Sequence, residues 1–231
     1  ELNSPLWGFW GGAEVWERET DITIPITTVE RTVALARGWY RKGFRLFKTK
    51  VGSDVEQDIR RLEALCRTCA DIAIIADANQ GFTRAECLHF VKEVKQFGAQ
   101  LLLLEQPVRR EDLDGMAALR RDLGIPIAAD ESVRSLQDAK EIVRTEAADF
   151  INIKIMKSGL LQAIDIAAFA RASGLRLMIG GMVETRIAMG CSFALVLGTG
   201  SFEVLDLDTP LLLTGDPVKG GYRYSGPVLH P

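Results

Sequence analysis

The sequence predicts an α/β chain folded as a (β/α)8-type TIM barrel in its modified (β/α)7β form. Three observations carry that expectation. Short β-rich segments alternate with longer helical patterns along the whole chain. Several of those segments are continuous apolar runs, as a parallel sheet covered on both faces requires. The charged or special residue near the end of each segment recurs almost evenly: Lys50, Asp77, Glu105, Asp130, Lys154, Gly180 and Asp206 are separated by 27, 28, 25, 24, 26 and 26 positions. That is a repeat with the period of one βα unit. An open doubly wound sheet is the alternative, but eight nearly equal units favour closure. No G-x-G-x-x-G follows the first strand.

In chain order, the expected strands are ITIPI (22–26), FRLFKTKV (44–51), IAIIADA (72–78) and QLLLLEQP (100–107). IPIAADE (125–131), DFINIKI (149–155), LRLMIGG (175–181) and FEVLDLD (202–208) follow. Between them lie patterns such as VEQDIRRLEALCRTCA and GLLQAIDIAAFARASG, with apolar residues at helical spacing. GWYRKGF, QFGAQ, RDLGIP and ASGLR carry the glycines that stop helices. The tail after Asp208 offers no long eighth helix. Residues 1–20 stand outside the repeat and hold Trp7, Trp10 and Trp16. We therefore expect an N-terminal segment, 1–20, and a barrel domain, 21–231. The two ends should pack on the bottom or side of the barrel, or against another domain.

Composition narrows the function. The 231 residues are 47% hydrophobic, ample for a large core, and the net charge of −3 does not suit a nucleic-acid surface. No basic run with interleaved aromatics and no apolar run of membrane-spanning length occurs. Four cysteines include the pair Cys66 and Cys69, but no second Cys/His pair follows at zinc spacing. Few cysteines fit a reducing compartment. The cytoplasm is expected, with an organelle as the alternative. With only His89 and His230, a Ser-His-Asp or His-ligated metal mechanism has almost no material.

Barrels of this kind place active sites at the C-terminal ends of the strands. The repeat puts Lys48 and Lys50 there from the second predicted strand, and Asp77 with Asn79 from the third. Glu105, then Asp130 with Glu131, then Lys154, and finally Asp206 with Asp208 follow from later strands. Buried carboxylates need a partner or a metal. Asp77, Glu105 and Asp130 on adjacent strands make a hard, all-oxygen set suited to Mg²⁺ or Mn²⁺ rather than zinc. Any one of them alone would be a rim ion pair. Lys50 and Lys154 lie four strands apart, on opposite sides of the mouth. Lys48, two residues from Lys50 on the same strand face, is expected to disfavour protonation of Lys50 and make it usable as a base.

KTK (48–50), DANQ (77–80), EQP (105–107), ADES (129–132) and NIKIMKSG (152–159) follow one another at barrel spacing. In these motifs the chain resembles the barrel domain of the enolase superfamily, in its muconate-lactonising-enzyme subgroup. The resemblance implies Asp77, Glu105 and Asp130 as ligands of Mg²⁺ (or Mn²⁺), and Lys50 and Lys154 as acid/base groups. It implies proton removal α to a carboxylate through an enediolate. The D-x-D of Asp206 and Asp208 resembles that of dipeptide epimerases, of L-Ala-D/L-Glu type, where it holds the free amino terminus. A capping or turn role before Pro210 is the plainer reading of that pair. Asn79 and Glu131 are further candidate substrate-binding groups.

The expected function is thus Mg-dependent epimerisation of a dipeptide. The alternatives are a cycloisomerase or o-succinylbenzoate-synthase-like enzyme, and an inactive metal-binding barrel fragment. A dipeptide is the expected partner, with homo-oligomer formation implied by the family and neither nucleic acid nor membrane. The chain opens at Glu1, not Met, so we expect a trimmed piece. The resemblance implies an N-terminal capping domain over the mouth; with the first strand expected near residue 22, we expect that domain to be absent here and little turnover from the chain alone.

Overall fold

The computed structural model describes residues 4–12 and 17–231. A short 3-10 helix, Leu6–Trp10, precedes β1 (Arg18–Glu19), β2 (Ile22–Ile24), α1 (Val29–Arg41) and β3 (Leu46–Lys50). Next come α2 (Val55–Thr68), β4 (Ala73–Asp77), α3 (Arg84–Gln96), β5 (Gln100–Glu105), α4 (Leu113–Leu123) and β6 (Ile127–Ala129). Then follow α5 (Leu136–Thr145), β7 (Phe150–Ile153), α6 (Ile155–Ser158), α7 (Leu160–Ala172) and β8 (Arg176–Ile179). The chain closes with α8 (Arg186–Thr199), β9 (Val204–Leu205), α9 (Thr209–Leu212), β10 (Arg223–Ser225) and β11 (Val228–His230).

All eight expected strands form, shorter than the sequence suggested. They make one curled parallel sheet in the order β2-β3-β4-β5-β6-β7-β8-β9. Its two edges meet where the Asp21 N–H donates to the Leu205 carbonyl (2.9 Å) and the Thr20 hydroxyl donates to the same oxygen (3.2 Å). The arrangement is consistent with a TIM-barrel domain. Helices α1 to α5 begin at side-chain caps: Thr28, Asp54, Thr83, Asp112 and Ser135 each accept a backbone N–H of the first turn. Thr83 and Glu86 complete a capping box.

The strands divide their residues between two cores. Outward residues such as Ile22, Phe47, Ile74 and Leu104 pack under the helices. Inside the curl, Ile75, Leu103, Ala128, Phe150 and Met178 form a separate apolar layer. Alternation then raises polar residues above that layer, toward the C-terminal ends. Register keeps them level: Lys50 pairs with Asp77, and Asp77 with Glu105. Asp130, Lys154 and Asp206 each follow the last paired residue of their strands.

The chain ends lie together. β1 pairs with β11, and β11 with β10, in a small antiparallel sheet. Leu6–Trp10 sits on α8, where the bare Cα of Gly198 admits Trp10: an added Cβ would lie 2.9 Å from the Trp10 side chain. Trp16 lies outside the described residues. The cysteines are free thiols, and burial pushes those of Cys66 and Cys69 up. Among the described residues no helix is long and apolar enough to cross a membrane.

Candidate active site

A cavity of about 650 Å³ opens at the C-terminal ends of the strands. Lys50, Asn79, Asp130, Glu131, Lys154, Asp206 and Asp208 all line it, so most of the residues singled out by the repeat share one space. Lys48, Asp77 and Glu105 lie just beneath, at most 1% exposed.

Lys48 is the hub of the floor. Its ammonium lies 2.6 Å from Asp206, 2.9 Å from Glu105 and 3.0 Å from Asp77. Burial alone would lower its pKa; Asp206, Asp77, Glu105 and Asp21 overcome that and hold it well above the ordinary value. The two lysines share a carboxylate. Asp77 Oδ2 stands between them, 3.0 Å from Lys48 Nζ and 2.6 Å from Lys50 Nζ. Lys48 is a charge held by carboxylates rather than a bare neighbour of Lys50. Lys50 also donates to the Asn79 side chain (3.0 Å), which in turn donates to Glu131 (3.1 Å).

The carboxylates divide by their neighbours. Burial works against ionisation of Asp77, but Lys48 and Lys50 prevail and lower its pKa. Asp130 likewise titrates low despite burial, because Lys157 and Lys154 grip its two oxygens, each at 2.6 Å. Glu105 goes the other way: burial, then Asp77, push it up to about 7. Its Oε1 accepts from Asn152 (2.7 Å). Its Oε2 lies near Lys48 yet has no hydrogen bond of acceptable direction. Burial and Asp206 push Asp208 up to about 7 as well.

Asp206 and Asp208 follow β9 rather than lying within it, because strand pairing ends at Leu205. Asp208 occupies the N-cap position of α9 without capping it; its Oδ2 accepts the Thr23 N–H at 2.6 Å. Together with Asp21 they form a cluster whose carboxylate oxygens lie within 4.8 Å of one another. Among the described residues no other carboxylate trio is gathered so closely: Asp77, Glu105 and Asp130 are not, with Lys48, Lys50, Lys154 and Lys157 paired to them. Both Asp21 oxygens lack a hydrogen-bond partner, and burial, Asp206 and Asp208 raise its pKa well above the usual range.

Sequence reasoning passed over Asp21, Asn152, Gln106 and Lys157. Gln106, at a φ of 36°, accepts from the N–H groups of Asp130 (3.0 Å) and Ser132 (3.1 Å). Period-two alternation could have found Asn152, two residues before Lys154. The second lysine of NIKIMKSG could have signalled Lys157.

A curled parallel sheet with lysines and carboxylates at its C-terminal mouth defines a class of βα domains whose chemistry is carried by strand ends. Residues 31–230 match the family model described as Enolase C-terminal domain-like, and the chain belongs to that family. It is 45% identical over 231 residues to an L-Ala-D/L-amino acid epimerase of Populus trichocarpa, covering 98% of this chain and 55% of that protein. It is 42% identical to an L-Ala-D/L-Glu epimerase of Thermotoga maritima, covering 91% of this chain and 61% of the relative. A dipeptide epimerase of Enterococcus faecalis, solved with Mg and the dipeptide L-Leu-L-Tyr, superposes with a TM-score of 0.92 at 33% identity. That match covers 98% of this chain and 64% of the other. The chain thus spans little more than half the length of the curated relatives named here.

Proposed function

We propose that the protein of which this chain is part epimerises a dipeptide at the carbon α to its carboxylate, in a magnesium-dependent reaction. The observation that carries the reading is one cavity lined by Lys50, Lys154 and the Asp206/Asp208 pair. The relatives named as dipeptide epimerases support the substrate class. The same reading takes residues 21–231 as a closed (β/α)7β barrel, in keeping with the Asp21–Leu205 hydrogen bond across the seam.

The donor set suits a hard cation. Asp21, Asp77, Glu105, Asp130, Asp206 and Asp208 are buried, against the ammonium groups of Lys48, Lys50, Lys154 and Lys157. Glu105 Oε2 is an oxygen without a directed donor. Asp77, Glu105 and Asp130 would hold Mg²⁺, with Mn²⁺ as a substitute. When bound, the ion stabilises negative charge on the substrate carboxylate.

The residues of the chain do the rest. Lys50 removes or returns the α-proton on one face, and Lys154 does so on the other. Lys48 fixes Asp77, Glu105 and Asp206 relative to one another. Asp206 and Asp208 receive the substrate ammonium, with Asn79 and Glu131 bordering the opposite wall. The test is proton NMR of Xaa-Glu and Xaa-hydrophobic dipeptides in D₂O with Mg²⁺. Loss of the second residue's α-proton signal, with the diastereomer growing in, is the expected result. In the whole protein of which this chain is part, no exchange with any dipeptide of the panel would defeat the assignment.

A further inference from the structure

Asp130 is gripped by two lysines, and proton transfer employs one of them. Lys157, on the single-turn helix α6, has a side chain only 7% exposed. Its Nζ lies 2.6 Å from Asp130 Oδ1, 2.6 Å from the Asp130 carbonyl oxygen and 2.9 Å from the Asn152 carbonyl oxygen. An ammonium has three protons, so every donor is committed to this corner.

That corner joins two strand ends. Asn152 belongs to β7, and its side chain holds Glu105 Oε1. From the other side, Gln106 fixes the Asp130 N–H. The Asp130 main chain and one carboxylate oxygen are thereby immobilised, while Oδ2 is shared with Lys154 at 2.6 Å.

We propose that Lys157 is a positioning residue for divalent-cation binding: it orients Asp130, and through Asn152 the neighbouring Glu105, without exchanging protons with substrate. The inference rests on the reading of Asp77, Glu105 and Asp130 as cation ligands. Charge and position make opposite predictions here. A positive charge beside a ligand repels a cation, so removing it should strengthen binding if charge were all that mattered. If position matters, removal weakens binding, and losses of roughly 10–100-fold are typical for groups that orient ligands.

The experiment is Mn²⁺ titration of the metal-free protein, followed by electron paramagnetic resonance of free Mn²⁺, for wild type, Lys157→Met and Lys157→Gln. Thermal unfolding in EDTA identifies the folded variants. Lys157→Met should bind Mn²⁺ at least about tenfold more weakly. Lys157→Gln, which keeps amide donors without the charge, should recover part of the loss. Equal or tighter binding by Lys157→Met overturns the inference. If that variant does not fold, Lys157→Gln decides: weaker binding than wild type supports the inference, and equal or tighter binding overturns it. A wild-type protein that takes up no Mn²⁺ overturns the ligand assignment, and this inference with it.

Discussion

Replacing Lys48 by Met should destabilise the metal-free protein, and by an amount that grows with pH. Lys48 is 1% exposed and touches three buried carboxylates at 2.6, 2.9 and 3.0 Å. Removing one partner of a buried ion pair costs about 3–5 kcal/mol, because the other charge is left uncompensated. Two features place this case at the lower end. Asp77 keeps Lys50 at 2.6 Å. Glu105, already near 7 with Lys48 present, becomes neutral at little expense. We expect a loss of about 3 kcal/mol at pH 7.5, or roughly 6–12 °C in Tm for a domain of this size.

The pH dependence follows from linkage. Without the lysine, the folded-state pKa of Glu105, already raised by burial and Asp77, rises further above its unfolded value. Acids raised in this way favour folding below the unfolded pKa and lose that contribution as pH climbs through the folded one. The penalty should therefore shrink between pH 7.5 and 5.5. Denaturant titrations of both proteins in EDTA at the two pH values measure it. A loss under about 1 kcal/mol at pH 7.5, or a larger loss at pH 5.5, would refute the picture of Lys48 as the hub of the floor.

Three further outcomes are expected. Burial and Asp77 push Glu105 up to about 7 in the metal-free protein; with Glu105 as the proposed ligand, cation binding displaces its proton, so Mn²⁺ affinity should rise by up to about tenfold per pH unit below 7 and level off above it. A pH-independent affinity between pH 5 and 7 would contradict this. Gly81→Ala should cost about 2 kcal/mol in denaturant titration, because the new Cβ would come within 2.3 Å of the Gly52 carbonyl oxygen, backbone against backbone. Asp206→Asn should weaken binding of dipeptides with a free amino terminus, while N-acetylated analogues, which lack the ammonium, bind equally to both proteins. Calorimetry with the two ligand sets distinguishes that from a general loss of the site.

The fold was legible because its strands carry two signals at once. IIAD and LLLLE are apolar on both faces until the last residue, where a carboxylate marks the mouth. Strand register then turns even spacing into a common level, as Lys50, Asp77 and Glu105 demonstrate. Other features follow from contacts between distant segments, which periodicity cannot encode. Asp21 reads as a residue ahead of the first strand until the seam brings it to Asp206 and Asp208. Lys157 gains its role from a single turn of helix, too short to leave a repeating pattern. The strand ending in Asp206 and Asp208 looked longer in sequence because apolar alternation continues past Leu205, where pairing stops.

Lys50 and Lys154 line one cavity, and in the proposed reaction they work on opposite faces of an α-carbon. The most direct measurement is the rate at which the two diastereomers of a turned-over dipeptide interconvert in D₂O, for wild type, Lys50→Ala and Lys154→Ala. General acid–base groups contribute roughly 10²–10⁴-fold, so each single substitution should slow interconversion by at least about a hundredfold. Interconversion at the wild-type rate in either variant would contradict the account.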